Sequence, residues 1–425
     1  MSTTNTTPRT IKGFADLYEP ESTLFTFLEN TARRVFGLYG YKELRTPILE
    51  YTELFSRGIG AETDVVQKEM FTFPDRKDRS LTMRPEATAG VMRSYIEHDF
   101  HSREAVSKFF TYGPMFRYER PQKGRMRQFH QLNCECVGAV EPEVDAEVLL
   151  MFMFFARELG LTDLRLELNT LGCRECRPVY KALLQQFLLT LDADKLCENC
   201  QRRMHTNPLR VLDCKVPTCK ALTENAPAIT DHVCGDCAQH FAAVRGMLDE
   251  RGQAYIINPR LVRGLDYYSR TTFEVITDSI GAQGTVAGGG RYDGLVGELG
   301  GPDVSGIGFG CGMERLALLM DNATRDALTR RPDFFIAVLD QKASGPALSA
   351  AQTLREAGLA GEMSFTVKSL KSQMRQASRI NSRYCLLIGE NELAEGGVVI
   401  KNMDDGSQES VRKDALGAWA ATVAQ

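Results

Sequence analysis

No stretch of the chain approaches the roughly 18 consecutive apolar residues that a membrane span requires, so no segment reads as transmembrane. Net charge is also small. With 51 Lys and Arg against 55 Asp and Glu, the formal charge is -4, so nothing pulls the whole molecule toward nucleic acid or acidic lipid and any polyanion must be met by a local cluster. Compositional bias is missing too: 43% apolar and 25% charged residues exclude a disordered or fibrous chain. Met1 to Thr10 is polar and rich in Ser and Thr, without the apolar core of an export signal, and reads as a short tail. The twelve cysteines are therefore expected to be reduced, in the cytoplasm, as buried small hydrophobes or metal ligands. A dinucleotide fingerprint is absent as well. In Gly306-Ile-Gly-Phe-Gly-Cys-Gly312 the third glycine is out of phase for GxGxxG, and no strand-glycine-helix unit opens the chain.

At 425 residues the chain exceeds what one hydrophobic core fills, which predicts two or three domains. Leu24, Phe25, Phe27, Leu28, Ala32, Val35 and Phe36 recur at helical spacing over 21–39, and 41–51 reads as extended. Residues 108–111 and 129–137 alternate as strands around Pro121-Gln122-Lys123-Gly124, predicting a hairpin with a long basic loop. Between about 170 and 250 the texture changes, with eight of the twelve cysteines and helical patterns, as in an inserted module. After Arg330-Arg331-Pro332, strand patterns at 334–339, 365–367 and 384–388 alternate with helical ones at 344–357 and 370–381, which predicts an α/β unit with a largely parallel sheet. The expected divisions are thus 1–169 and 253–325 for one domain, 170–252 for the insertion and 332–425 for the last.

Three arginine motifs carry the chemistry: Phe116-Arg117-Tyr-Glu-Arg120, Arg263-Gly-Leu-Asp-Tyr-Tyr268 and Gly310-Cys-Gly-Met-Glu-Arg315. A guanidinium matches phosphate and carboxylate with two parallel hydrogen bonds, so a site gathering three of them handles polyanions. The segment 117–127 carries Arg117, Arg120, Lys123, Arg125 and Arg127 against the single acid Glu119, interleaved with aromatics, which favours phosphate or nucleic-acid contact over a merely solvated run. A second basic stripe, Lys368, Lys371, Arg375, Arg379 and Arg383, recurs every three or four residues with no acid from Met363 to Gly389.

Together with Arg84-Pro-Glu-Ala-Thr88 and Gly288-Gly-Gly-Arg-Tyr-Asp-Gly294, these motifs resemble the bacterial histidyl-tRNA synthetase family, class II aminoacyl-tRNA synthetases, from about residue 8 to the C-terminus. The resemblance implies an α+β catalytic domain, an antiparallel sheet flanked by helices, with a helical insertion and a C-terminal α/β anticodon-binding domain. It implies a homodimer joined around Tyr41 to Tyr51. By the same resemblance Arg117, Arg125, Arg315 and Glu119 bind ATP with its Mg2+. Glu86, Thr88, Gln131, Glu135, Tyr267 and Tyr268 bind L-histidine, and Arg263 approaches both substrates and acts with Arg117 in catalysis. Lys123, Arg125, Lys371, Arg375 and Arg379 are expected to contact tRNA(His).

Two positions depart from the family pattern: Ala87 stands for a usual glycine, and Lys12-Gly-Phe-Ala-Asp16 is a loose form of the usual start. Cys197-x-x-Cys200 and Cys234-x-x-Cys237 are two thiolate knuckles expected to share one structural zinc ion, with Cys214 and Cys219 as competing ligands. The competing functions are a catalytically inactive paralogue, the regulatory subunit of ATP phosphoribosyltransferase, and a zinc-dependent RNA-binding protein.

Overall fold

The computed structural model describes residues 7–424 apart from 61, 62, 64, 122, 123, 266 and 281–283. The chain divides into two compact units, Met1–Arg325 and Asp326–Gln425. The first carries strands β1 (Lys42–Glu43), β2 (Leu49–Tyr51), β3 (Phe71–Pro74), β4 (Ser80–Met83), β5 (Ser107–Phe116), β6 (Gln128–Val137), β7 (Arg165–Thr170), β8 (Ile256–Ile257), β9 (Ser269–Ile276), β10 (Thr285–Arg291) and β11 (Gly306–Gly312). Eight of them form one sheet in the order β1-β5-β6-β11-β10-β9-β7-β8. Its six central strands are antiparallel, while β1 joins β5 and β8 joins β7 in parallel, so the sheet is mixed only at its edges.

The expected hairpin is present and longer than its apolar alternation suggested. Its arms β5 and β6 pair from Ser107↔Val137 to Phe116↔Gln128, and residues 117–127 link them. The segment 41–51 is split, because β1 joins the large sheet whereas β2 pairs with β4 in a small three-stranded sheet, β2-β4-β3. Buried Leu24, Phe25, Leu28, Val35 and Phe36 form the inward stripe of the helix Glu21–Leu38, as their spacing predicts. The insertion does not build a core of its own. Its Tyr180, Leu184, Leu188 and Val211 pack in one cluster with Phe109 and Val137 of the sheet and with Tyr267 and Tyr268.

One buried network ties this unit together. The Arg291 guanidinium at the end of β10 is completely buried; its Nη2 donates to Asp145 Oδ1 at 2.5 Å and its Nη1 to the Ala139 carbonyl at 2.9 Å. His240 Nε2 lies 2.8 Å from Asp145 Oδ2, so one carboxylate joins the sheet to the helices Pro142–Glu158 and Gly235–Glu250. Burial would raise the Asp145 pKa, but His240 and Arg291 outweigh it and hold the carboxyl below its usual range.

The second unit contains β12 (Phe334–Val338), β13 (Gly361–Met363), β14 (Tyr384–Ile388), β15 (Gly397–Asn402) and β16 (Gln408–Arg412), ordered β13-β12-β14-β15-β16. The first three are parallel and the last two antiparallel, so the sheet is α/β in its helix-crossed half and a meander in the other. The strand expected at 365–367 lies instead at Gly361–Met363. Phe365 is 87% exposed, and its apolar character reflects surface placement, not a buried strand.

Asp145→Ala is expected to cost about 3–5 kcal/mol of stability, because it leaves a buried guanidinium with only Asp293, 3.5 Å away, as counter-charge. The folded-state pKa of Asp145 is depressed, so this contribution is present above the unfolded value and is lost as pH falls through the folded one; parent and variant should converge in acid. Denaturant titration of both proteins at neutral and acid pH reads the difference, and a gap under about 1 kcal/mol at pH 7 would refute the network's role.

Candidate active site

A cavity of about 910 Å³ opens in the first unit, and distant parts of the chain supply its wall. Arg117, Glu119 and Arg125 come from the hairpin loop, Gln131 and Asn133 from β6, Glu86 and Thr88 from the segment after β4, Arg263, Tyr267 and Tyr268 from the stretch before β9, and Arg315 from the helix Met313–Leu319. The fold thus brings the three motif arginines to one place.

Each guanidinium is aimed by a different partner. Arg117 Nε donates to the Pro85 carbonyl at 2.8 Å while its guanidinium lies 5.4 Å from the Phe129 ring centre, and among the described residues it makes no ion pair. Arg125 Nη1 donates to Glu119 Oε2 at 2.7 Å. Arg315 donates to the Thr285 carbonyl; burial first, then the neighbouring Arg125, lower its pKa. Arg263 pairs with Glu274, which also accepts from Thr285 Oγ1 at 3.1 Å. Burial opposes the charge of Arg263, but Glu274 outweighs it and the guanidinium stays ionised. The backbone beneath must be bare, since a Cβ on Gly288 would come within 2.4 Å of Arg263 Nη1.

Another part of the cavity wall is polar. Gln131, Asn133 and Glu135 occupy alternate positions of β6 and so share one face, with buried Leu132, Cys134 and Cys136 on the other. Gln131 Oε1 and Asn133 Oδ1 are buried acceptors with no hydrogen-bond partner, which suits a ligand that donates. Glu86 accepts from the backbone N–H groups of Thr88 (2.7 Å) and Ala89 (2.9 Å), capping the helix Thr88–Glu97. Burial raises its pKa and these donors partly offset the rise. Ala87 has φ -99 and ψ -28, a backbone open to any residue, so nothing there demands the family's glycine. Arg84 of the same motif is structural, with Nε bonded to the Pro114 carbonyl at 2.9 Å and Nη1 to Thr46.

Glu135 sits behind the wall. Thr88 Oγ1 donates to its Oε1 at 2.6 Å and Tyr292 OH to its Oε2 at 2.5 Å, and burial pushes its pKa up to about 8. Tyr292, Asn133 and Glu274 are site residues that the motifs alone did not single out. Polar residues on every second position of a strand between buried apolar ones were the available signal for Asn133; Glu274 had none, because its partner lies across a strand turn.

Lys123, expected to contact RNA, lies outside the described residues. Lys371, Arg375 and Arg379 are exposed on the helix Leu370–Arg379 of the second unit, one turn apart, and among the described residues none forms an ion pair. The cysteine grouping requires correction. Cys197 and Cys200 do not meet Cys234 and Cys237: the first pair gathers with Cys214 and Cys219, the second with Cys173 and Cys176, each foursome having its sulfurs within 4.8 Å of one another. The chain folds each knuckle onto its nearer spatial neighbour, which spacing along the sequence does not report.

Two family profiles match: histidyl-tRNA synthetase over residues 13–316 and anticodon binding domain over 333–421. A histidine--tRNA ligase of Oleidesulfovibrio alaskensis is 64% identical over 405 residues, covering 95% of this chain and 97% of that protein. One of Geobacter metallireducens is 53% identical over 404 residues, covering 95% and 97%. The crystal structure of apo S. aureus histidyl-tRNA synthetase superposes with a TM-score of 0.80 at 35% identity, covering 98% of this chain and 100% of that one.

Because the folded Glu135 carries its proton near neutrality, the protein should lose stability as pH rises from the unfolded value of 4.5 through about 8. Glu135→Gln removes that titration, so thermal melting of the variant should gain on the parent steadily across this range. A difference that does not change between pH 5 and pH 9 would show that the carboxyl is not held protonated.

Proposed function

The chain belongs to the histidyl-tRNA synthetase family, and on that premise we propose how this site carries out ATP-dependent attachment of L-histidine to tRNA(His) through a histidyl-adenylate. Three guanidinium groups drawn from separate segments into one cavity, whose wall also holds the unpaired amide acceptors of Gln131 and Asn133, are the observation that carries the reading. In the first step the histidine carboxylate attacks the α-phosphate of MgATP and pyrophosphate leaves. Negative charge accumulates on phosphoryl oxygens, so catalysis rests on positioning and preorganised positive charge.

Arg117, held at its Nε by Pro85, offers its remaining donors to the α-phosphate, and Arg315, with Arg125 fixed against Glu119, meets the distal phosphates and adenine. Arg263 reaches the α-phosphate from the amino-acid side, held over Gly288 by Glu274. The histidine ammonium donates to Gln131, Glu86 and Thr88, with Asn133 beside them. Tyr267 and Tyr268, ring centres 4.6 Å apart, lie together on one side of the imidazole, one ring nitrogen meeting Tyr268 and the other reaching Glu135, which is behind the wall, through Thr88 Oγ1. A side chain lacking those nitrogens leaves buried polar groups unpaired, which gives selectivity without an editing domain.

The same reading takes the protein as a cytoplasmic homodimer joined through residues 41–51. Ile48, Leu49 and Tyr51 there, with Phe73 of the small sheet, are exposed apolar side chains that a second copy would cover. In the second unit Lys371, Arg375 and Arg379 face RNA phosphates, and exposed Phe365 supplies a ring on which a base can stack. An inactive paralogue has no use for three preorganised arginines, and a simple RNA-binding protein has no use for the cavity.

Arg263→Ala should fold, sediment as a dimer and bind ATP, yet lose histidine-dependent ATP–pyrophosphate exchange by on the order of 100- to 1000-fold. Exchange within about tenfold of the parent would remove Arg263 from the chemistry. Lys371, Arg375 and Arg379 all changed to Glu should leave exchange nearly intact while raising KM for tRNA roughly tenfold or more and flattening its salt dependence. Equal losses in exchange and in charging would refute the separation of the two units' roles.

A further inference from the structure

Eight of the twelve cysteines fall into two foursomes, and both have the shape of a metal cage. Sulfur separations within them include 3.5 Å for Cys173–Cys176, 4.0 Å for Cys173–Cys234, 4.0 Å for Cys176–Cys237 and 3.8 Å for Cys197–Cys214. Four thiolates about 2.3 Å from one tetrahedral ion stand about 3.8 Å from each other, whereas a disulfide brings two sulfurs to about 2.05 Å. An iron–sulfur cube would spread them wider, because each thiolate then binds a different iron. Backbone donors complete both cages: the Cys234 N–H points at Cys176 Sγ (3.0 Å) and the Cys197 N–H at Cys219 Sγ (3.1 Å). Such donors orient thiolates and share their charge. In each foursome two sulfurs are on buried and two on half-buried residues, so the ion would be closed to substrate.

We propose that the insertion holds two structural zinc ions, one bound by Cys173, Cys176, Cys234 and Cys237 and the other by Cys197, Cys200, Cys214 and Cys219. The first clasps the two ends of the insertion. Cys173 and Cys176 follow directly from β7 of the large sheet, and Cys234 is the N-cap residue of the helix Gly235–Glu250 that brings His240 to Asp145, so the chain between Cys176 and Cys234, 58 positions apart, is closed at its base. Gly172 makes this turn at φ +65, where a Cβ would lie 2.6 Å from that of Cys176. The second braces the wall of the cavity. Cys214 follows Asp213, which is fixed by Arg210 at 2.5 Å, and Cys214 itself lines the cavity with Lys215. Arg260 ties the flanks of this segment through the Leu212 and Thr223 carbonyls.

Full-length protein purified without chelator should contain about two zinc ions per chain by elemental analysis. Cys176→Ser and Cys219→Ser should each retain about one. Loss of the second ion should raise KM for histidine or ATP in pyrophosphate exchange, whereas loss of the first should chiefly lower the melting temperature. Should a serine variant fail to fold, cobalt titration of the metal-stripped parent decides the matter. Two equivalents bound with the intense visible bands of tetrahedral thiolate coordination support the proposal. One equivalent or none, an iron–sulfur chromophore, or disulfides in the native protein would overturn it.

Discussion

A carboxylate that touches no solvent governs the first unit: Asp145, held between Arg291 and His240. Taking a full guanidinium and its counter-charge out of water is costly, and only when every donor finds an acceptor is the cost offset. Arg291 meets that condition through Asp145, Asp293 and the carbonyls of Ala139 and Glu141. This requirement sets where β10 ends relative to two helices. Gly288 on the same strand is the bare backbone over which Arg263 lies, so the buried network and the cavity share one strand.

Electrostatics in the cavity reflect a division of labour. Guanidinium groups crowded together repel, and Arg125 lowers the pKa of Arg315. The repulsion is tolerated because each group is anchored by an oxygen: Pro85 and Thr285 carbonyls for Arg117 and Arg315, carboxylates for Arg125 and Arg263. Donors anchored in this way are preorganised for an anion and need little reorganisation when one is bound. Elsewhere in the wall the unpaired acceptors are the amides of Gln131 and Asn133, and behind them burial keeps Glu135 protonated between Thr88 and Tyr292.

The insertion shows how texture along a chain and packing in space part company. By composition it is a separate cysteine-rich module, yet Tyr180, Leu184 and Val211 share a core with Phe109 and Tyr268. Its segment 210–215 forms part of the cavity wall. The shape of the cavity wall and the order of the insertion are therefore coupled through ordinary van der Waals packing.

What the sequence by itself determined is everything set by neighbours a few positions apart: the inward stripe of the helix Glu21–Leu38, the hairpin of β5 and β6, the basic stripe of Lys371, Arg375 and Arg379, and the motifs that mark the three arginines. Tertiary structure alone decided the pairings between distant segments. Arg263 pairs with Glu274, eleven positions further along the chain. Cys234 has Cys219 closer in sequence than Cys173, yet it lies against Cys173, because the turn after β7 meets the start of the helix Gly235–Glu250. Local spacing records backbone geometry, which repeats every two or 3.6 residues; which distant groups meet depends on strand order, and that is a property of the whole sheet.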